Sequence, residues 1–264
     1  MLVIYLTSII FSVIINIDEE VNNMRVIGKS LYGSQNYHLN GPMSDKDYKV
    51  FIAPEFIDLY QMKKINRASL PIGYDANHDT PIDFRSFDSL VREANCNNIE
   101  LLYSSDLQVW DNSFASYFKL AREAYANKYV AYKWSNFFSC VQGLVLNGIT
   151  RYDNSEENRM KAIARGIWWV NFISYIAKNN FIIIEDAWAA PEVYTLPQKI
   201  RFSDEYDKVL IREDWPVIFA EVKMITDREL ACESYDKLRC QQYENELQKC
   251  AQELIADAIR KELR

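Results

Sequence analysis

Gly33-Ser34-Gln35-Asn36-Tyr37-His38-Leu39, followed after a turn-rich spacer by Ser44-Asp45-Lys46-Asp47-Tyr48-Lys49, is the stretch that decides the fold of this chain. Residues 45–52 (DKDYKVFI) alternate in the manner of a strand, and Pro54 ends the run. Residues i and i+2 of a strand share a face, roughly 6.6 Å apart. Asp45 and Asp47 therefore converge on one side, and Lys49 follows on the same face. Two carboxylates so placed repel unless a cation lies between them. Oxygen-only ligation suits Mg2+, which takes one or two carboxylates together with substrate phosphates. Gly33 lets the backbone approach closely. Ser34 adds a hydroxyl and a free N–H at the start of a helical turn, a small anion-binding nest. The pattern predicts phosphates on Gly33 and Ser34, metal ions on the aspartates and Lys49 near a phosphate. The plain alternative is a solvated turn leading into an edge strand, with Asp45 as a cap.

Upstream, residues 24–30 (MRVIGKS) read as a short strand. Gly28-Lys29-Ser30 resembles half a P-loop, but the earlier glycine position holds Asn23, which argues against one. Residues 2–15 form an apolar run. As a helix it would be roughly 21 Å long, short of the ~30 Å hydrocarbon core. No positive region precedes it and no small-residue cleavage site follows. Downstream, residues 55–81 read as a short helix and a polar loop, and 82–87 as a second short strand. Residues 87–94 have helical spacing, and 99–103 form a helix or a strand. Long amphipathic stretches follow at 114–147, 155–179 and 216–263, with an irregular piece around Pro191 and Pro197. The expected class is α+β with a helical C-terminal lobe.

Composition narrows the function. The chain has 264 residues, 49% hydrophobic and 25% charged, which excludes global disorder. Seven glycines argue against repeated glycine-rich phosphate loops, and two distant histidines, His38 and His78, exclude HExxH-type zinc sites. Five cysteines without a CxxC pair argue for reduced, mostly buried thiols in a cytoplasmic protein. A net charge of -7 is not that of a bulk polyanion binder, so any nucleic-acid contact must be a local patch. Lys128-Tyr129-Val130-Ala131-Tyr132-Lys133-Trp134 is the candidate, although its helical spacing fits a buried stripe better.

The pattern GSxxYxL…SDxDxK resembles the minimal nucleotidyltransferases of the DNA polymerase β superfamily, in particular the bacterial and phage group that includes RNA-ligase-associated polymerases. His38 stands where that group usually has glycine. The resemblance implies a polymerase-β-type core over residues 24–112 and a helical domain over 113–264. Residues 1–23 become an apolar extension outside the family pattern, which favours Met24 as the true start. It also implies a third carboxylate on a neighbouring strand, with Asp83 the candidate and Asp75 and Asp79 its competitors. Residues 95–103, ending Glu100-Leu101-Leu102-Tyr103, resemble a further family segment. Lys161 and Arg165, four apart on one helix face with Trp168 a turn beyond, fall where the family has a basic helix.

What the resemblance implies is transfer of a nucleoside monophosphate from an NTP, ATP first, to an acceptor hydroxyl with release of pyrophosphate. Asp45, Asp47 and Asp83 would hold two Mg2+ ions (or Mn2+), with Asp83 nearest the incoming hydroxyl. Gly33, Ser34, Lys49, Lys161 and Arg165 would bind the nucleotide. The acceptor is an RNA end, a small molecule or a protein. No membrane partner is expected, and the place of action is the cytoplasm, or the host's if the chain is phage-encoded. The rival from another class is a non-catalytic nucleotide-sensing or partner-binding protein on the same fold; attachment to a membrane through residues 2–15 is a minor third.

Overall fold

The computed structural model describes residues 25–42, 44–60, 65, 70–71, 73–150, 155–202 and 208–263. The apolar run at 2–15 and Met24 lie outside the described residues. The fold is mixed α+β, mostly helical, around a small four-stranded mixed sheet in the order β3-β2-β1-β4. β1 (Arg25–Tyr32) runs antiparallel to β2 (Asp47–Ala53) and to β4 (Leu107–Val109), while β2 is parallel to β3 (Asp79–Asp83). A short helix, α1 (Phe56–Tyr60), lies in the crossover from β2 to β3. β2 is half-buried over Asp47-Tyr48-Lys49 and then reads Val50-Phe51-Ile52-Ala53, all buried. Phe51 and Ala53 enter the main core, whereas Val50 and Ile52 enter a second cluster with Val26, Leu70 and Tyr74, so this interior strand is covered on both faces.

Gly28-Lys29-Ser30 is mid-strand. A Cβ at Gly28 would run into the Gln108 carbonyl of β4, so glycine is what permits the two backbones to approach. Lys29 Nζ lies 4.2 Å from the Tyr48 ring centroid, and buried Ser30 donates its Oγ–H to the Leu101 carbonyl at 2.9 Å. The second strand expected at 82–87 lies earlier. Asp83 accepts the Arg85 N–H at 2.8 Å and caps α2 (Phe84–Arg92), which ends β3 at that residue. Pro81 fits β3 because β3 is an edge strand.

α3 (Cys96–Leu102) follows, with Asn95 as N-cap, so the ambiguous segment at 99–103 is helical. The expected helical stretch 114–147 is divided into α4 (Asn112–Ala126), α5 (Tyr129–Tyr132) and α6 (Trp134–Thr150), and Lys128 makes the break at φ 64°. α7 (Glu156–Lys178) and α8 (Glu185–Trp188) come next. Then come α9 (Pro191–Phe202), α10 (Lys208–Cys232) and α11 (Lys237–Glu262). The piece expected to be irregular is therefore α9. Pro191 opens it at the position where a missing N–H is harmless. Pro197 inside it cannot bond the Val193 carbonyl, and Asn171 of α7 donates Nδ2–H to that oxygen instead, at 3.2 Å.

α7 is the central helix, packed by α6, α9 and α10, while α11 covers α2 and α4. Trp168 does not extend a cationic face. It is fully buried, 4.8 Å from the Tyr37 ring and 4.7 Å from Trp188. The stretch 128–134 is core and not a stacking platform. Tyr129 and Val130 are fully buried, Lys128 pairs with Glu233, and Lys133 pairs with Glu244 at 2.8 Å. No helix among the described residues is long and apolar enough to cross a membrane.

The cysteines depart from the expectation of five reduced thiols. Cys96 and Cys140 form a disulfide, with Cα atoms 6.1 Å apart, while Cys232, Cys240 and Cys250 are free. The pairing joins residues 44 apart in the chain, a proximity created by the contact of α3 with α6 and invisible in the cysteine spacing.

Candidate functional site

The Gly33–His38 segment leaves β1 and closes as one helical turn. The Gly33 carbonyl accepts from the N–H groups of Asn36 and Tyr37 at 3.1 and 3.3 Å, and the Ser34 carbonyl accepts from Leu39 N–H at 2.8 Å. Gly33 has φ +79° and His38 φ 56°, so histidine takes the left-handed conformation that the related pattern assigns to glycine. Among the described residues, neither the N–H nor the Oγ of Ser34 has a hydrogen-bond partner.

Glu100 of α3 holds this turn in place, a role its sequence context did not disclose. It is 1% exposed. Its Oε1 accepts the Gly33 N–H at 2.7 Å, and its Oε2 accepts Tyr37 O–H. Arg165 Nη2–H donates to the same Oε2 at 3.3 Å, to Tyr37 Oη at 3.0 Å and to Asn97 Oδ1 at 3.1 Å. Burial pushes the Glu100 carboxyl up, against the pull of Arg165, Tyr37 and the Gly33 N–H. Arg165 thus braces the turn from beneath. The Gly33 N–H is also committed, so Gly33 shapes the loop and does not present a donor.

Asp47 opens β2 opposite Tyr32, and its Oδ2 would lie 3.8 Å from a Cβ on Gly33. Asp45 precedes the strand and is exposed. Gln35 ties its neighbourhood to the turn, donating Nε2–H to the Ser44 carbonyl at 3.0 Å. Lys49 shares the face of Asp47, but its Nζ sits 4.5 Å from the Tyr32 ring centroid and its charge acts on Glu100.

The register of β2 and β3 separates Asp83 from this group. Asp83 pairs with Ile52, five positions along β2 from Asp47, roughly 16 Å away. It is also engaged by Arg85 and by the α2 N-terminus. Asp83 therefore does not complete a carboxylate triad. Asp79 lies at the correct end, level with Tyr48, and strand alternation places it on the opposite face from Asp47. The group beside Asp47 is instead His78, whose Nδ1 is 3.4 Å from Asp47 Oδ1 and whose Nε2 is 4.0 Å from Asp75 Oδ2. Among the described residues no three His, Cys, Asp or Glu side chains form a metal cluster.

Ser34, Asp45, Asp47 and Lys161 line one open cleft of about 940 Å³ between the sheet end and the helices. His78, Glu157, Arg201 and Phe202 are also on its walls. Lys161 reaches it from the start of α7, where it pairs with Glu157 at 3.0 Å. One side of the cleft is thus acidic and the other basic, with the Ser34 turn between. No known protein family, characterised protein or solved structure matches the chain.

The two histidines report on the site independently. The hydrogen bond to Asp47 raises the His78 pKa above its ordinary value, with help from the charges of Asp45 and Asp75, whereas burial lowers that of His38. The contribution of the His78 pair to stability is therefore present below pH ~6.5 and lost as pH rises through the raised value. An NMR titration should show two imidazole resonances titrating on opposite sides of ~6.5. In Asp47→Asn the upper one should fall and the lower one stay; an unmoved upper resonance would show that Asp47 does not hold His78.

Proposed function

We propose that the cleft binds a nucleoside triphosphate, ATP first, and transfers its nucleoside monophosphate to an acceptor hydroxyl with release of pyrophosphate. The observation that carries this reading is the meeting of Ser34, Asp45, Asp47 and Lys161 in one cleft, although Lys161 is more than a hundred residues from the others. The resemblance of the Gly33–Lys49 stretch to minimal nucleotidyltransferases of the polymerase β superfamily supports it. The Ser34 N–H and hydroxyl receive phosphate oxygens, and Lys161 neutralises them from the helical side. Asp45 and Asp47 with those oxygens suit one Mg2+ or Mn2+ ion, which when bound would supply neutralisation of charge at the transferring phosphoryl group. A second ion has no third carboxylate beside the pair among the described residues and has no part in the reading. Phosphoryl transfer depends on positioning and charge neutralisation more than on a side-chain nucleophile, which suits this set of residues.

A non-catalytic nucleotide sensor is the second reading. It is favoured by Asp83, whose commitment to Arg85 and α2 removes the expected third carboxylate. Incubation of the protein with each labelled NTP, Mg2+ and total RNA separates the two readings. Label transferred to RNA, to a small molecule or to protein supports transfer, and tight binding without transfer supports sensing.

The two walls should act on one ligand. Ser34→Ala and Lys161→Ala should each raise the ATP dissociation constant roughly ten- to a hundredfold, since each removes a contact of ~1.5–3 kcal/mol to a charged group. The double variant should lose less than the sum, because both side chains hold the same phosphates. Calorimetry that finds no effect at Lys161 would confine the nucleotide to the sheet side of the cleft.

A further inference from the structure

Arg201, at the end of α9, has no role in the reading above. It lines the cleft, its Nη1 is buried, and among the described residues that atom has no hydrogen-bond partner. Burial lowers its pKa, opposed by the charge of Glu157. A guanidinium does not deprotonate in proteins, so a buried N–H on it stays charged and costs stability until an acceptor arrives. Glu157, exposed and already paired with Lys161 at 3.0 Å, is the carboxylate whose charge reaches both cations. Two basic side chains from separate helices therefore converge near one acidic side chain on the cleft wall. A ligand with several anionic oxygens would satisfy both cations and leave Glu157 to solvent.

The next residue supplies the other half of a ligand. Phe202 lines the same cleft and is 54% exposed, whereas the other aromatic side chains around α9 pack into the core. The Arg201 guanidinium lies 4.8 Å from its ring centroid, and a Cβ on Gly41 would lie 3.7 Å from its Cε1, so the ring is held beside the loop that leads to Asp45. An exposed ring next to a guanidinium whose Nη1 has no acceptor among the described residues suits a ligand with a flat base and a phosphate chain. Stacking on such a ring contributes ~1–3 kcal/mol per base and accepts any base.

We propose that Arg201 and Phe202 form the recognition wall of the cleft, with Arg201 receiving a phosphate oxygen of a nucleoside polyphosphate and Phe202 stacking on its base. The proposal rests on the nucleotide reading of the cleft but not on transfer. It makes the chain tolerant of base identity, since neither residue reads a base edge.

The test uses calorimetry on the full chain with ATP, GTP and inorganic triphosphate, each with Mg2+. Arg201→Gln should weaken ATP and inorganic triphosphate alike, roughly ten- to a hundredfold. Phe202→Ala should weaken ATP and GTP about tenfold or more and leave inorganic triphosphate unchanged. Arg201→Gln should also melt no lower than the parent, because it removes a half-buried charge whose buried Nη1 has no hydrogen-bond acceptor among the described residues. Arg201→Lys, which keeps the charge and loses the fork, should recover part of the affinity. If Ser34→Ala and Lys161→Ala weaken ATP while Arg201→Gln does not, the wall assignment fails and the nucleotide site stands. An Arg201→Gln variant that melts several degrees lower with unchanged affinity marks Arg201 as structural and overturns the proposal. If the parent binds neither ATP nor inorganic triphosphate, the nucleotide reading fails and takes the proposal with it. Binding with these variant effects but without label transfer supports the wall and rejects transfer.

Discussion

Asp47→Asn is expected to lower the proposed nucleotidyl transfer by at least ~10²–10³-fold, the scale measured when one preorganised electrostatic group is removed from a reacting site. Asp47 sits where the three parts of the cleft meet: beside Gly33, 3.4 Å from His78, and on the strand end that Asp45 leads into. Its removal takes away half of the carboxylate pair proposed to hold Mg2+ and frees His78. Mg2+ or Mn2+ affinity measured by calorimetry in the presence of ATP should collapse with the activity. Asp83→Asn should leave metal affinity unchanged, since Asp83 lies at the other end of the sheet and is bound to Arg85. Equal losses in the two variants would restore Asp83 to the site, and no loss in Asp47→Asn would remove the metal reading altogether. Asp83→Asn should cost no more than ~0.5–2 kcal/mol, because asparagine also caps helices well.

The largest effect on stability is expected at Glu100. Glu100→Ala leaves the Gly33 N–H, the Tyr37 hydroxyl and the Arg165 guanidinium without their shared acceptor, in a place that is 1% exposed. Breaking one member of a buried charged network typically costs ~3–5 kcal/mol. In a chain of this size that corresponds to a fall in Tm of about 10 °C. ATP affinity should fall as well, because the Ser34 turn loses its anchor. Glu100→Gln keeps a carbonyl acceptor and should cost much less. The sign with pH separates the two forms of the acid. Burial raises the folded-state pKa of Glu100, so its contribution to stability is full below the unfolded value of ~4.3 and declines as pH rises through the folded value. Glu100→Gln cannot ionise, so that part of the pH dependence should vanish. A Tm change below ~3 °C in Glu100→Ala, measured by scanning calorimetry, would show that the turn is held by other contacts.

Several parts of this architecture are local and were legible in the residues. Gly33 and Ser34 mark a turn, the DKDYKVFI run reads as a strand that the structure starts two residues later, at Asp47, and the amphipathic periods locate the long helices. Other parts follow from cap and breaker chemistry that the residues state less clearly. Asp83 is expected as the third carboxylate of the site, and the Arg85 N–H makes it the N-cap of α2 instead. Pro197 reads as a break, yet α9 continues through it because Asn171 takes the carbonyl that the proline leaves free.

What the sequence determined by itself was the content of the candidate site: a Gly-Ser turn, two aspartates two residues apart, and a lysine on a later helix. Tertiary structure alone decided how these groups meet. The pairing of Ile52 with Asp83 moved one carboxylate to the far end of the sheet, and the fold of the crossover brought His78 to Asp47. Packing of α3 beneath the turn buried Glu100 and joined Cys96 to Cys140, and the end of α9 carried Arg201 into the cleft with its Nη1 lacking an acceptor among the described residues. The physical reason is range. Turn conformation, strand alternation and helix period depend on neighbours a few residues away, whereas strand register and the burial of a charge depend on which distant surfaces close over one another.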